Sequence, residues 1–253
     1  MTPIEQAREA IEQGAVERLE ALIESHPELP NLRSEDNDRT LLHTVADYPG
    51  HKPKGVEMAR LLIEAGADVN ARFQHGQNEA VKETPLHWAA SNDDVDLAEL
   101  LLDAGADIDI DCGVIANGTP VWNAVIFRCV NVARLLIDRG AASNLMTAAG
   151  AGRRDLVDRY FDEDGNVKEN AGALPCWDPP RPPKTALDSA FGLACRNGHA
   201  TVARVLFERG ADPEWVNPAG ESAYQQAKSG GHKIVMDWMK ARGIVAEGAL
   251  REP

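Results

Sequence analysis

Aromatic residues are scarce: Phe, Trp and Tyr make up 5% of the 253 residues. A large β-sheet core, which favours aromatic and β-branched side chains, is therefore disfavoured. Basic residues are also outnumbered, 26 Lys and Arg against 40 Asp and Glu, a net charge of −14. Such a chain repels nucleic acid and anionic lipid. No stretch approaches the roughly 18 apolar residues of a membrane span. Residues 1–13 lack the basic and apolar regions of a signal peptide. The four cysteines, Cys112, Cys129, Cys176 and Cys195, contain no CxxC pair, which excludes a zinc knuckle or a thioredoxin motif. The sequence holds no GxSxG, HExxH, Walker A or GxGxxG motif. What remains is a soluble, cytoplasmic chain with free thiols, and at 43% apolar it can fold.

The chain repeats itself. Leu61 to Val69 (LLIEAGADV), Leu100 to Ile108 (LLLDAGADI), Leu135 to Ala142 (LLIDRGAA) and Val205 to Pro213 (VLFERGADP) align on one pattern. Each reads as a helix that ends on a glycine, where a left-handed residue carries no Cβ clash. Helix starts repeat as well: Thr84-Pro85-Leu86-His87-Trp88-Ala89-Ala90, Thr40-Leu41-Leu42-His43-Thr44-Val45-Ala46 and Thr119-Pro120-Val121-Trp122-Asn123-Ala124. Threonine suits the N-cap and proline the first helical position. The histidine three residues on can bond back towards the cap.

These residues resemble the ankyrin repeat, with its TPLHxAA helix, leucine-rich helix and Gly-Ala-Asp turn. The resemblance implies an all-α solenoid of helix–turn–helix units, each with a hairpin-like finger. About seven units align: an N-terminal cap at 1–35, repeats two to five at 36–161, an insertion at 162–184, a sixth repeat at 185–219 and a C-terminal cap at 220–253. The chain reads as one continuous solenoid over 1–253.

Spacing between helix starts departs from the family: 44 from Thr40 to Thr84, 35 to Thr119, 24 to Ser143, 46 to Ser189 and 33 to Ser222. The second unit has a long turn, 47–55, and a long finger, 73–82. The third ends in a finger at 111–118, where Asn117-Gly118 signals a hairpin turn. The insertion at 162–184 opens on Asp162-Glu163-Asp164. It closes on the proline-rich stretch 179–183, a stiff extended segment or a ligand for a proline-binding domain.

Catalysis finds little support. His43 and His87 are explained by the cap, and His199 and His232 by a Gly-His turn. Asn92-Asp93-Asp94 reads as a solvated inter-helix turn. No metal or cofactor is expected. The resemblance places partner binding on a concave groove and the fingers. Carried over, this singles out Tyr48, Ser91, Asn92, Ile126, Phe127, Arg196 and Asn197, with Asp47, Gly150 and Ala151 beside them. The fingers add Phe73, Gln74, His75, Gln77, Val114 and Ile115. Tyr48, Phe73, Ile126 and Phe127 are expected at exposed positions, unless the insertions fold over them. Trp88 and Trp122 are expected to pack between helices. The resulting expectation is a non-enzymatic, monomeric module that binds a partner protein with a basic patch. The alternative is a small-molecule or catalytic pocket near the fifth repeat, formed by Trp122, Cys176 and Trp177.

Overall fold

A computed structural model describes residues 1–34, 38–74 and 82–245. The chain divides into two compact units, Met1–Ala141 and Ala142–Pro253.

The first unit is built from helix pairs. They are α1 (Pro3–Gln13) with α2 (Val16–Ser25), α3 (Leu41–Ala46) with α4 (Gly55–Glu64), α5 (Pro85–Ser91) with α6 (Val95–Asp103), and α7 (Pro120–Phe127) with α8 (Val130–Asp138). α1, α3, α5 and α7 pack in one row, and α2, α4, α6 and α8 in a second. Two short antiparallel strands, β1 (Phe73–Gln74) and β2 (Lys82–Glu83), pair Phe73 with Glu83 and Gln74 with Lys82. The core between the rows is aliphatic and small: Ala7, Ala10, Ala59, Ala89, Ala90 and Ala98 are fully or nearly fully buried beside Leu19, Leu62, Leu101 and Leu136. Alanines let helix axes approach closely, which is how so few aromatics suffice.

The second unit repeats the arrangement with α9 (Leu145–Gly150) and α10 (Arg154–Val157), α11 (Pro183–Arg196) and α12 (Ala200–Glu208), and α13 (Ala223–Ser229) and α14 (Lys233–Lys240). α11 begins at Pro183, six residues before the expected Ser189, so the end of the insertion is drawn into the helix. The helix of the fifth unit is capped by Asn144, one residue after Ser143. The insertion docks on α9 and α11 through a 3-10 turn at Glu169–Gly172, where Ala171 and Leu174 are buried. A Cβ at Gly172 would collide with the carbonyl of Arg181.

The Gly-Ala-Asp turns form as expected. Gly66, Gly105, Gly140 and Gly210 take φ of 90°, 91°, 97° and 88°, with open space around each. Conformation alone therefore requires glycine there. The Asn117-Gly118 turn also forms, without strands. Gly113 donates to Gly118 O (2.9 Å) and Gly118 to Ile115 O (3.0 Å).

Candidate interaction surface

The helix caps set the framework. His43 Nδ1 accepts from the Thr40 amide (3.4 Å) and meets its hydroxyl at 2.8 Å, while Nε2–H donates to Glu83 O (3.2 Å). His87 does the same with Thr84 (3.2 and 3.0 Å) and Gly118 O (3.2 Å). Each imidazole therefore closes its own cap and ties it to the start of the next unit. Burial pushes the His43 pKa down to about 3 and lowers that of His87 as well, which keeps both rings neutral. They are structural groups, as the sequence suggests. In the fourth unit Trp122 replaces the histidine, and Thr119 Oγ1 is left without a partner.

A buried carboxylate holds the third finger in place. Glu83 Oε1 accepts from the Val114 amide (2.9 Å) and Asn123 Nδ2 (2.7 Å), and Oε2 accepts from Trp88 Nε1 (3.1 Å). Sequence reasoning missed Glu83 because its three donors come from α5, α7 and a loop 31 residues away. Only the fold brings them together. Beside it, the Arg39 guanidinium lies 4.6 Å above the Trp88 ring and 5.4 Å above Phe73.

The expected surface residues separate into two groups. Tyr48 is 81% exposed, Phe127 44% and Val114 41%. Ser91, Asn92, Ile115 and Ile126 are half-buried. Phe73 corrects the expectation: it is 4% exposed, packed edge-on against Trp88 at 5.2 Å under Arg39. The β1–β2 pairing returns the start of the finger onto the helices and carries the ring inward. Asn197 is also buried, and its Nδ2 donates to Gly150 O (2.8 Å). Arg196 is half-buried. Gln74 lies in β1, while His75 and Gln77 fall outside the described residues.

Asn92-Asp93-Asp94 is not simply solvated. Asn92 Nδ2 donates to Ala46 O (2.8 Å), Asp93 accepts from the Val132 amide (2.9 Å) and Asn131 Nδ2 (2.7 Å), and Asp94 caps α6 through the Leu97 amide (3.2 Å). Each residue of the turn spends its side chain on a neighbouring helix. Asn31 and Asn70 do likewise, accepting from the amides of Asp68 and Asp107 (both 2.8 Å) and donating to Gly66 O and Gly105 O.

For the alternative pocket, Trp122 is buried in the first unit at 6% exposure. Cys176 and Trp177 are half-buried in the second, with Arg181 stacked 4.6 Å over the Trp177 ring. Burial pushes the Cys129 thiol up to about 11 and raises those of Cys112 and Cys195, so none of these three is primed as a nucleophile. Among the described residues no group of three or more His, Cys, Asp and Glu could hold a metal ion, and no helix is long and apolar enough to cross a membrane.

The family described as "Ankyrin repeats (3 copies)" matches residues 72–147, and a single "Ankyrin repeat" matches residues 37–73. No curated protein matches the chain. Many solved structures share the fold. One is the ankyrin repeat domain of human ASB11, 22% identical, with a TM-score of 0.57 over 96% of this chain and 98% of that one. With the TPLH caps, the Gly-Ala-Asp turns and the two rows of paired helices, these matches identify residues 37–147 as ankyrin repeats and give the chain an ankyrin-repeat fold.

Proposed function

We propose that the chain is a non-enzymatic binding module whose first unit holds a partner protein. Ankyrin repeats generally serve as protein–protein interaction modules and are typically non-enzymatic, which supports the reading. The observation that carries it is the exposure of Tyr48 and Phe127 at the C-terminal ends of α3 and α7, on either side of α5 in one packed row. Large aromatics left in water at such positions suit interface anchors. Asn92 and Ile126 flank them, and the turn bearing Val114 and Ile115 belongs to the same unit.

Charge narrows the partner. Residues 1–141 carry 12 Lys and Arg against 25 Asp and Glu, a net of −13. A field of that sign speeds encounter with a basic partner and weakens with salt. The module is proposed to act as a cytoplasmic monomer.

Co-purification with mass spectrometry tests this, using the intact chain and its Tyr48→Ala and Phe127→Ala variants. A basic partner recovered by the parent and lost by the variants supports the proposal. Unchanged recovery in both variants removes this surface from it. Turnover by the isolated chain would overturn the non-enzymatic reading.

A further inference from the structure

A second surface lies wholly within the second unit and has different chemistry. A groove of about 620 Å3 is lined by Arg154 of α10, Thr201 and Arg204 of α12, Ile234 of α14, and the turn glycines Gly152 and Gly198. Its lining contains no Asp or Glu, in a chain where acids outnumber bases 40 to 26. The first unit has a counterpart of about 540 Å3 at the starts of α4 and α6. There Lys52, Lys54 and Arg60 are offset by Glu57, Asp94 and Asp96. Only the second groove is one-sided in charge.

Ile234 is 71% exposed, more than any other large apolar residue of this unit among the described residues. It stands beside two guanidinium groups. Arg154 donates to Asp158 (2.6 Å), which offsets part of its charge. Arg204 is exposed, 6.0 Å from the Trp238 ring centre. The unit as a whole carries 14 Lys and Arg against 15 Asp and Glu, so an anionic segment meets no general repulsion there.

We propose that this groove is a second interaction surface, which takes an acidic polypeptide segment bearing an aliphatic side chain. Carboxylates of the segment pair with Arg204 and Arg154, and the aliphatic group covers Ile234. Bidentate guanidinium–carboxylate pairing supplies orientation, and the buried isoleucine supplies affinity. The proposal is independent of the surface around Tyr48 and Phe127 and stands if that one fails.

The test is fluorescence anisotropy on the full chain. The probe is a labelled peptide of alternating glutamate and leucine pairs, and its lysine counterpart is the control. The acidic peptide is expected to bind, and any binding of the lysine peptide, which the acidic first unit attracts, is expected not to weaken in Arg204→Glu. Arg204→Glu is expected to weaken the acidic peptide about tenfold, and Ile234→Ser about fivefold. Tyr48→Ala leaves its affinity unchanged. Circular dichroism confirms that each variant is folded. Equal binding of the acidic peptide to parent and Arg204→Glu overturns the proposal. So does displacement of the peptide by inorganic phosphate with no effect of Ile234→Ser, which would mark a simple anion site. A salt-sensitive dimer abolished by Arg204→Glu would make a second copy of the chain the occupant and overturn the assignment to a foreign segment.

Discussion

The two units hold their repeats together by different means. In the first, polar side chains reach from one repeat to the next: His43 to Glu83, His87 to Gly118, Asn31 and Asn70 to successive turns, and Asp93 to α8. In the second, an aromatic cluster does more of the holding. Phe191, Phe207 and Trp238 meet tilted or edge-on at 5.7 to 6.5 Å between centres, one each from α11, α12 and α14. Its caps Asn144–Thr147 and Ser222–Gln225 are local, and polar links between its repeats include Asn197 and His199 to Gly150 O. The inter-helix turns differ in the same sense. Where the second unit places Gly152, Gly198 and Gly231 in the left-handed region, the first has Gly14 in its α1–α2 turn but tolerates Asp93 (φ 55°) and Arg128 (φ 67°) in later ones. At Asp93 the strained backbone is offset by two hydrogen bonds to the next repeat. Repeat packing is thus satisfied either by directed bonds or by apolar area. The directed kind responds to pH and to loss of a single donor or acceptor.

The contrast can be broken most sharply at Phe191, which is fully buried. Phe191→Ala should cost about 4 kcal/mol, and hydrogen exchange should show the loss concentrated in 142–245. Next is Glu83→Ala, which strands the Trp88, Val114 and Asn123 donors. It should cost about 3 kcal/mol in urea unfolding and speed exchange of the Val114 amide. Equal exchange across both units in either variant would show that the two do not differ in this way.

Acid provides a graded version of the same test. With folded pKa values below the ordinary 6.5, His43 and His87 bind fewer protons folded than unfolded. The contribution of His43 is complete above about pH 6.5 and is lost as pH falls towards 3, at a slope of roughly 1.4 kcal/mol per pH unit, and that of His87 is lost in the same direction. Urea midpoints at pH 7 and pH 5 should therefore differ more for the parent than for a His43→Gln, His87→Gln variant. An identical drop would assign the acid response to carboxylates. The smallest effect is expected at Arg128. Arg128→Gly relieves a left-handed backbone and should raise stability by about 0.5 kcal/mol, visible as a small rise in Tm.

Much of the fold was legible because it is local. A threonine with a histidine three residues on, and a glycine after a leucine-rich run, carry their own reasons for starting and stopping a helix. Helix boundaries slipped where the reason was not local. Pro183 starts α11 early because proline fits the first helical turn, and Asn144 outcompetes Ser143 by bonding the Thr147 amide (2.9 Å). The candidate surface was half legible. Tyr48 and Phe127 follow from repeat position alone, whereas the burial of Phe73 depends on a strand pairing that begins again at residue 82. The second groove left no sequence signal, since Arg154, Arg204 and Ile234 are 80 residues apart from first to last.

By itself the sequence determined the repeat, the helix ends and the acid excess of residues 1–141, because each rests on neighbours within one turn or on a count. Tertiary structure decided which exposed-looking side chains stay in water and which acids are paired. It also decided where two arginines, one of them paired with Asp158, meet an isoleucine in a groove lined by no carboxylate. Those outcomes depend on partners supplied by the next repeat, and the burial and pairing of charge are set only when that repeat is in place.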